Sequence, residues 1–153
     1  MRGYEGKRTS EGVEVNVRDG ESAPWRPLPA RFDLAVGETN GLAWGGLSRE
    51  SEQLAVAILA DHFAENPMSS IAATYHAIDA GLLAADAQPT FDELAVLIAP
   101  AFLLEVVSRF ARTGWFLYDW QVARFVEQLR PESMKRDTWP ACEPMEERCP
   151  ASR

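Results

Sequence analysis

Cysteine is scarce. The only two in the 153 residues, Cys142 and Cys149, both lie near the C-terminus, which excludes a disulfide framework and leaves no cysteine ligand set for zinc. They could close a small loop, but free, solvated thiols are the expectation. Histidine is equally scarce, at two residues, so metal or acid–base chemistry would have to be built from His62, His76 and nearby carboxylates. No apolar run is long enough to cross a bilayer: the longest, "LAVLIAPAFLL", is short and carries Pro100. The opening "MRGYEGKRTSEG" lacks the apolar stretch of a secretory signal, and a cytoplasmic protein is expected. No serine stands in a GxSxG context and the cysteines have no histidine beside them, so the sequence indicates no nucleophile-and-base arrangement.

The most telling absence is positive charge. Between Arg49 and Arg109 there is no Lys or Arg, while Glu50, Glu52, Asp61, Glu65, Asp79, Asp86, Asp92, Glu93 and Glu105 all fall in that interval. Residues 51–130 hold 10 acids against 4 bases and so carry most of the net charge of −8. Such a surface repels phosphate and attracts a basic partner. The expected partner is therefore a basic, nucleic-acid-binding protein or complex, with no direct nucleic-acid contact and no membrane.

What is present describes one folded domain. Apolar residues at 46% and charged residues at 25% are ordinary for a globular chain and exclude global disorder. "VEVNV" sets Val13, Val15 and Val17 on one face, and "TSEG" turns the chain back to "GYEGKR", which reads as a hairpin. "APWRPLPARFDL" carries Pro24, Pro27 and Pro29 and can be only an edge strand or an extended loop, with Trp25, Leu28 and Phe32 as its anchors. A mostly buried helix over about 49–65 follows the Ser48 N-cap, with Glu50, Asp61 and Glu65 gathered in one acidic arc and His62 amid its apolar positions. A second helix starts near Ser69 or Ser70, carries Ile71, Tyr75, Ile78 and Leu82 at helical spacing, and stops at Gly81. The capping box Thr90 to Glu93 opens a central helix that Pro100 should kink or split and that Arg109 and Arg112 close before Gly114. Val122, Phe125, Val126 and Leu129 stripe a last helix ending at Pro131. The expected fold is α+β, a small N-terminal antiparallel sheet of two or three strands on a bundle of four or five helices, with residues 1–130 as the domain and 131–153 as a loosely ordered tail touching down at Trp139.

Three stretches invite a chemical reading. "GLAWGGLSRE" resembles a phosphate cradle at a helix start, but it has neither GxGxxG nor GxxxxGK[ST] spacing and no lysine; a tight turn with Trp44 packed inward is expected, Gly41, Gly45 and Gly46 supplying left-handed conformations or close approach. "WFLYDW" could form a base-stacking platform, but only Arg109, Arg112 and Arg124 stand near it in sequence, so packing is the better reading. His62, His76 and Asp79, with Asp61, could hold a metal if their helices face each other. For His62 a hydrogen-bonded core position is the more ordinary outcome.

"YEGKRT" with its hairpin, "PARFDL", "GLAWGG", "QLAVAILADHF" and the later "FLLEVVSRFARTGWFLYDW" resemble a family of small bacterial, plasmid and phage proteins of unknown function. Against that pattern the glycine turn is shorter and residues 66 to 90 look like an insertion. The resemblance brings no catalytic residues and no cofactor. It implies a mobile-element accessory role, and so a non-enzymatic inhibitor of a nucleic-acid-handling host defence complex, of anti-CRISPR or anti-restriction type, acting through Glu50, Asp61, Glu65, Asp79, Asp86, Asp92 and Glu93. The alternative is a small metal-dependent enzyme using His62, His76 and nearby aspartates.

Overall fold

A computed structural model describes residues 1–34 and 41–134. Trp139, Cys142, Cys149 and most of the expected tail lie outside the described residues.

β1 (Gly3–Thr9) and β2 (Gly12–Arg18) form the expected hairpin, with Tyr4 opposite Val17 and Thr9 opposite Gly12. Strand alternation sends Tyr4, Val15 and Val17 into the core. β3 (Arg26–Pro27) pairs with β2 at the sheet edge, where a proline costs no ladder bond. Leu28 anchors this segment, while Trp25 is half-buried and Phe32 is exposed rather than buried as expected. The fourth strand, β4 (Gly114–Tyr118), was not legible as one: the aromatic run "GWFLY" pairs antiparallel to β1, giving the order β3-β2-β1-β4. The sheet therefore draws strands from both ends of the described chain.

Four helices complete the α+β fold. α1 (Arg49–Glu65) starts on the Ser48 hydroxyl, which accepts from the Ser51 N–H at 3.1 Å. Every residue from Ser51 to Ala60 is buried, because α1 packs along α3 (Phe91–Glu105) and also touches α2 (Pro67–Asp79) and α4 (Asp119–Glu127). α3 opens on the full capping box between Thr90 and Glu93 and runs through Pro100 unsplit. It ends at Glu105, short of the expected Arg112, and a 3-10 turn at Val107–Arg109 redirects the chain toward β4. Below Pro131 the chain makes one more 3-10 turn, and Met134 packs into the core.

Two local outcomes bear on the sequence reading. In the glycine turn only Gly45 is left-handed, at φ 84°, while Gly41 and Gly46 face open space. Trp44 packs inward as expected, edge-on to Trp115, with its Nε1 donating to the Arg112 carbonyl at 3.2 Å. The second outcome concerns α2, whose inward face is Ser70, Ala73 and Ala77. Its larger residues, Met68, Ile71 and Tyr75, face solvent.

Gly6 lies directly under the Trp115 indole, which stacks on Phe110 at 4.3 Å, so a Cβ at residue 6 would overlap the ring. Gly6→Ala should destabilise by about 1–3 kcal/mol, the usual cost of overpacking a filled core. Urea denaturation would show a lower midpoint; an unchanged midpoint would mean that the indole is not held against β1.

Candidate functional site

A chain of polar side chains crosses the interior between the sheet and the helices. It begins at Arg2, whose Nε and Nη2 donate to the two Asp61 oxygens at 2.8 and 2.9 Å, a fork-to-fork pairing. Arg2 also contacts Asp19. Tyr4, fully buried, donates its hydroxyl to Asp61 at 2.8 Å, with Asp119 at 3.3 Å sharing the same proton. Burial raises the Tyr4 pKa, and the charges of Asp61 and Asp119 raise it further, so the phenol stays a donor. On the backbone, Asp119 N–H donates to the Arg2 carbonyl at 2.9 Å. β1, α1 and α4 thus meet at one point.

Asp119 carries the chain onward. His62 is fully buried on α1, its Nδ1 2.6 Å from Asp119 Oδ1 and its Nε2 2.8 Å from Ser69 Oγ. Asn66 donates its amide to Asp119 Oδ2 at 2.6 Å and to the His62 carbonyl at 3.2 Å. Burial alone would push the Asp119 carboxyl up, but the bond and charge of His62, with bonds from Asn66 and Tyr4, hold it below the usual carboxylate range. Its place in the first turn of α4 favours the same charged form.

The structure separates the residues singled out from the sequence. Asp61 faces inward to Arg2 and Tyr4. Asp92 is held by Arg31, Nη2 to Oδ2 at 2.9 Å, and Glu93 caps α3 by accepting from the Thr90 N–H at 2.8 Å. Glu50 is half-buried at the start of α1. Glu65, Asp79 and Asp86 remain exposed. The two histidines take different partners: His76 Nε2 donates to the Glu127 carbonyl at 3.1 Å, while His62 lies in the interior network. Among the described residues no three His, Cys, Asp or Glu side chains are grouped so as to hold a metal ion.

Two exposed surfaces stand out. On α2, Met68, Ile71 and Tyr75 are 76%, 49% and 65% exposed. At 100° per residue they share an arc of about 80° with Asp79. Beside them runs a groove of about 360 Å³ lined by Ile71, Tyr75, Ile78, Asp86 and Pro89. The other surface is the open face of the sheet, where Trp25, Phe116, Tyr118 and Trp120 form a row of ring contacts and the Arg18 guanidinium lies 4.4 Å from the Trp25 ring centre. The base nearest these rings comes from β2 and not from the sequence neighbourhood of "WFLYDW". A larger groove, about 850 Å³, has Leu34 and Met134 in its wall. Those are the residues at which the described segments stop.

Sequence reasoning missed Asp119, Asn66 and Ser69 as partners of His62, and Tyr4 as a partner of Asp119. The spacing of Asn66 and Ser69, four and seven residues after His62, places them near it only once the chain turns between α1 and α2. Nothing local signals Asp119 or Tyr4.

Residues 4–78 match a family described as a family of unknown function (DUF6166). The match spans the hairpin, the glycine turn, α1 and nearly all of α2, so it runs through most of the segment that looked like an insertion. No curated protein and no solved structure matches the chain. No helix among the described residues is long and apolar enough to cross a membrane.

Because the folded-state pKa of Asp119 is depressed, its contribution to stability is present above the ordinary carboxylate range and is lost as pH falls through the lowered value. Stability should drop steeply below about pH 4. Asp119→Asn should destabilise at neutral pH by about 2 kcal/mol or more, since a buried charge-assisted network is broken. It should also flatten the acid limb of a urea-midpoint titration. An acid limb identical to wild type would mean that other carboxylates set it.

Proposed function

We propose that this chain is a partner-binding accessory protein whose docking surface is the outer face of α2. One observation carries the reading: three large apolar side chains, Met68, Ile71 and Tyr75, are placed side by side in solvent on a helix whose inward face is built from small residues. A contiguous exposed apolar patch with a polar rim is the usual anatomy of an interaction site. Here the rim is acidic, supplied by Glu65, Asp79 and Asp86.

The same segment lies inside the interval that has no Lys or Arg. The fitting partner is a protein with an apolar anchor set in a basic surface, as nucleic-acid-handling proteins carry. The resemblance to plasmid and phage proteins supports a setting in which that partner belongs to a host defence complex, of CRISPR or restriction type, and the site of action is the cytoplasm. The acids bound within the protein, Asp61 to Arg2, Asp92 to Arg31 and Glu93 to its own helix cap, serve the protein's own stability in this reading, and the interface is narrower than the acidic interval as a whole.

Capture from a bacterial lysate by the tagged chain tests the reading. Tyr75→Ala should weaken retention of the specific partner about tenfold or more, as loss of an aromatic anchor does, with a melting temperature close to wild type because the residue is exposed. The double reversal Asp79→Lys, Asp86→Lys should act mainly on the association rate and make binding less sensitive to salt. A partner retained equally by the wild type and both variants would place the interface elsewhere.

A further inference from the structure

The polar chain ends in an arrangement that does more than hold the fold together. Asp119 Oδ1, His62 Nδ1, His62 Nε2 and Ser69 Oγ follow one another at 2.6 Å and 2.8 Å, the carboxylate on one ring nitrogen and the hydroxyl on the other. A carboxylate can only accept, so in the neutral ring the proton sits on Nδ1 and the Nε2 lone pair faces the serine hydroxyl. That is the nucleophile, base and orienting carboxylate of a serine acyl-transfer site, recognised by geometry and not by order in the sequence. The supports around it are in place. Asn66 and Tyr4 hold the Asp119 carboxylate, and burial fixes the His62 ring in a single orientation.

Ser69 stands in the first turn of α2, a helix of 13 residues, and is half-buried, as is Asp119, while His62 between them is sealed from solvent. Asn66, the N-cap residue, makes no side-chain cap, and its amide donates to Asp119.

We propose that Ser69 is an activated nucleophile toward small, neutral, activated esters. In the step, Ser69 Oγ bonds to the acyl carbon and its proton passes to His62 Nε2. The bond from the acyl carbon to the ester oxygen breaks, and the leaving group departs with that electron pair as a phenolate. The products are an acyl-serine, an imidazolium paired with Asp119, and the phenolate, so atoms and charge balance. Neutral substrates are favoured because the Asp119 carboxylate stands one imidazole away from Ser69 Oγ and would repel an anion. Deacylation is slow, since the sealed His62 ring has no direct access to the water that must be deprotonated.

The test uses the full chain with two probes, p-nitrophenyl acetate and a biotinylated fluorophosphonate. The expected result with the ester is a burst of about one nitrophenolate per chain followed by much slower release, the pattern of an accumulating acyl-enzyme. With the phosphonate, which loses fluoride on reaction, tryptic mass spectrometry should place the adduct on Ser69. Ser69→Ala should abolish both signals, while Ser108→Ala leaves both unchanged. Asp119→Asn should slow labelling at least a hundredfold, as expected when the ring loses the group that orients it. Melting curves show whether each variant is folded, and mapping the adduct on the wild type needs no variant at all. A folded wild-type chain with no adduct, or with its adduct on another residue, would overturn the proposal.

Discussion

Burying a charge is tolerable only when every polar atom around it is answered, and the Arg2–Asp61 pair imposes that condition on the rest of the molecule. The guanidinium comes from the residue just before β1 and the carboxylate from the last turns of α1. Tyr4 extends the pair to Asp119, and the Asp119 backbone returns to Arg2. The junction of β4 with α4 is thereby tied to the first strand, which explains why residues 114–118 close the sheet instead of continuing the helix that precedes them. The apolar core supplies most of the burial energy, but it is non-directional. The polar chain is what specifies how the sheet sits on the helices.

The arrangement also decides which groups are left for the surface. Asp61 is drawn inward to answer Arg2, while Asp92 beside Arg31 and Glu93 on its cap stay at the surface with an intramolecular partner. On α2 the small inner face of Ser70, Ala73 and Ala77 lets the helix lie close to its neighbours, and helical geometry then leaves Ile71 and Tyr75 outside. Close packing inside and apolar exposure outside are two sides of one sequence pattern. The exposed apolar face of α2 and the interior network meet at the start of that helix, where Met68 faces solvent and Ser69 faces His62.

Local signals were legible where the physics is local. The hairpin follows from valine alternation, α1 from Ser48 and the apolar positions behind it, and the start of α3 from the Thr90–Glu93 box; all three stand where the sequence places them. β4 was not legible because its pairing is with residues more than a hundred positions earlier, and an aromatic run has no period of its own to distinguish strand from loop. The apolar spacing on α2 indicated a helix correctly, but periodicity does not say which side faces the core when the opposite side is lined by alanines. For the candidate site, His62 was visible as a core histidine, whereas its partners Ser69 and Asp119 come from α2 and α4, and Tyr4 of β1 reaches Asp119, through tertiary folding.

The dependence of the fold on the Arg2–Asp61 pair can be measured without reference to any ligand. A double-mutant cycle with Arg2→Met and Asp61→Asn, read by urea denaturation, isolates the coupling between them. Each single change breaks the fork and leaves Arg2 with Asp19 or Asp61 with Tyr4, while the double change removes both charges together. The expected coupling is about 1.5 kcal/mol or more, with the double variant more stable than the sum of the single losses implies. Additive losses, with a coupling within about 0.3 kcal/mol of zero, would contradict the account and would mean that the apolar contacts alone seat the sheet on the helices.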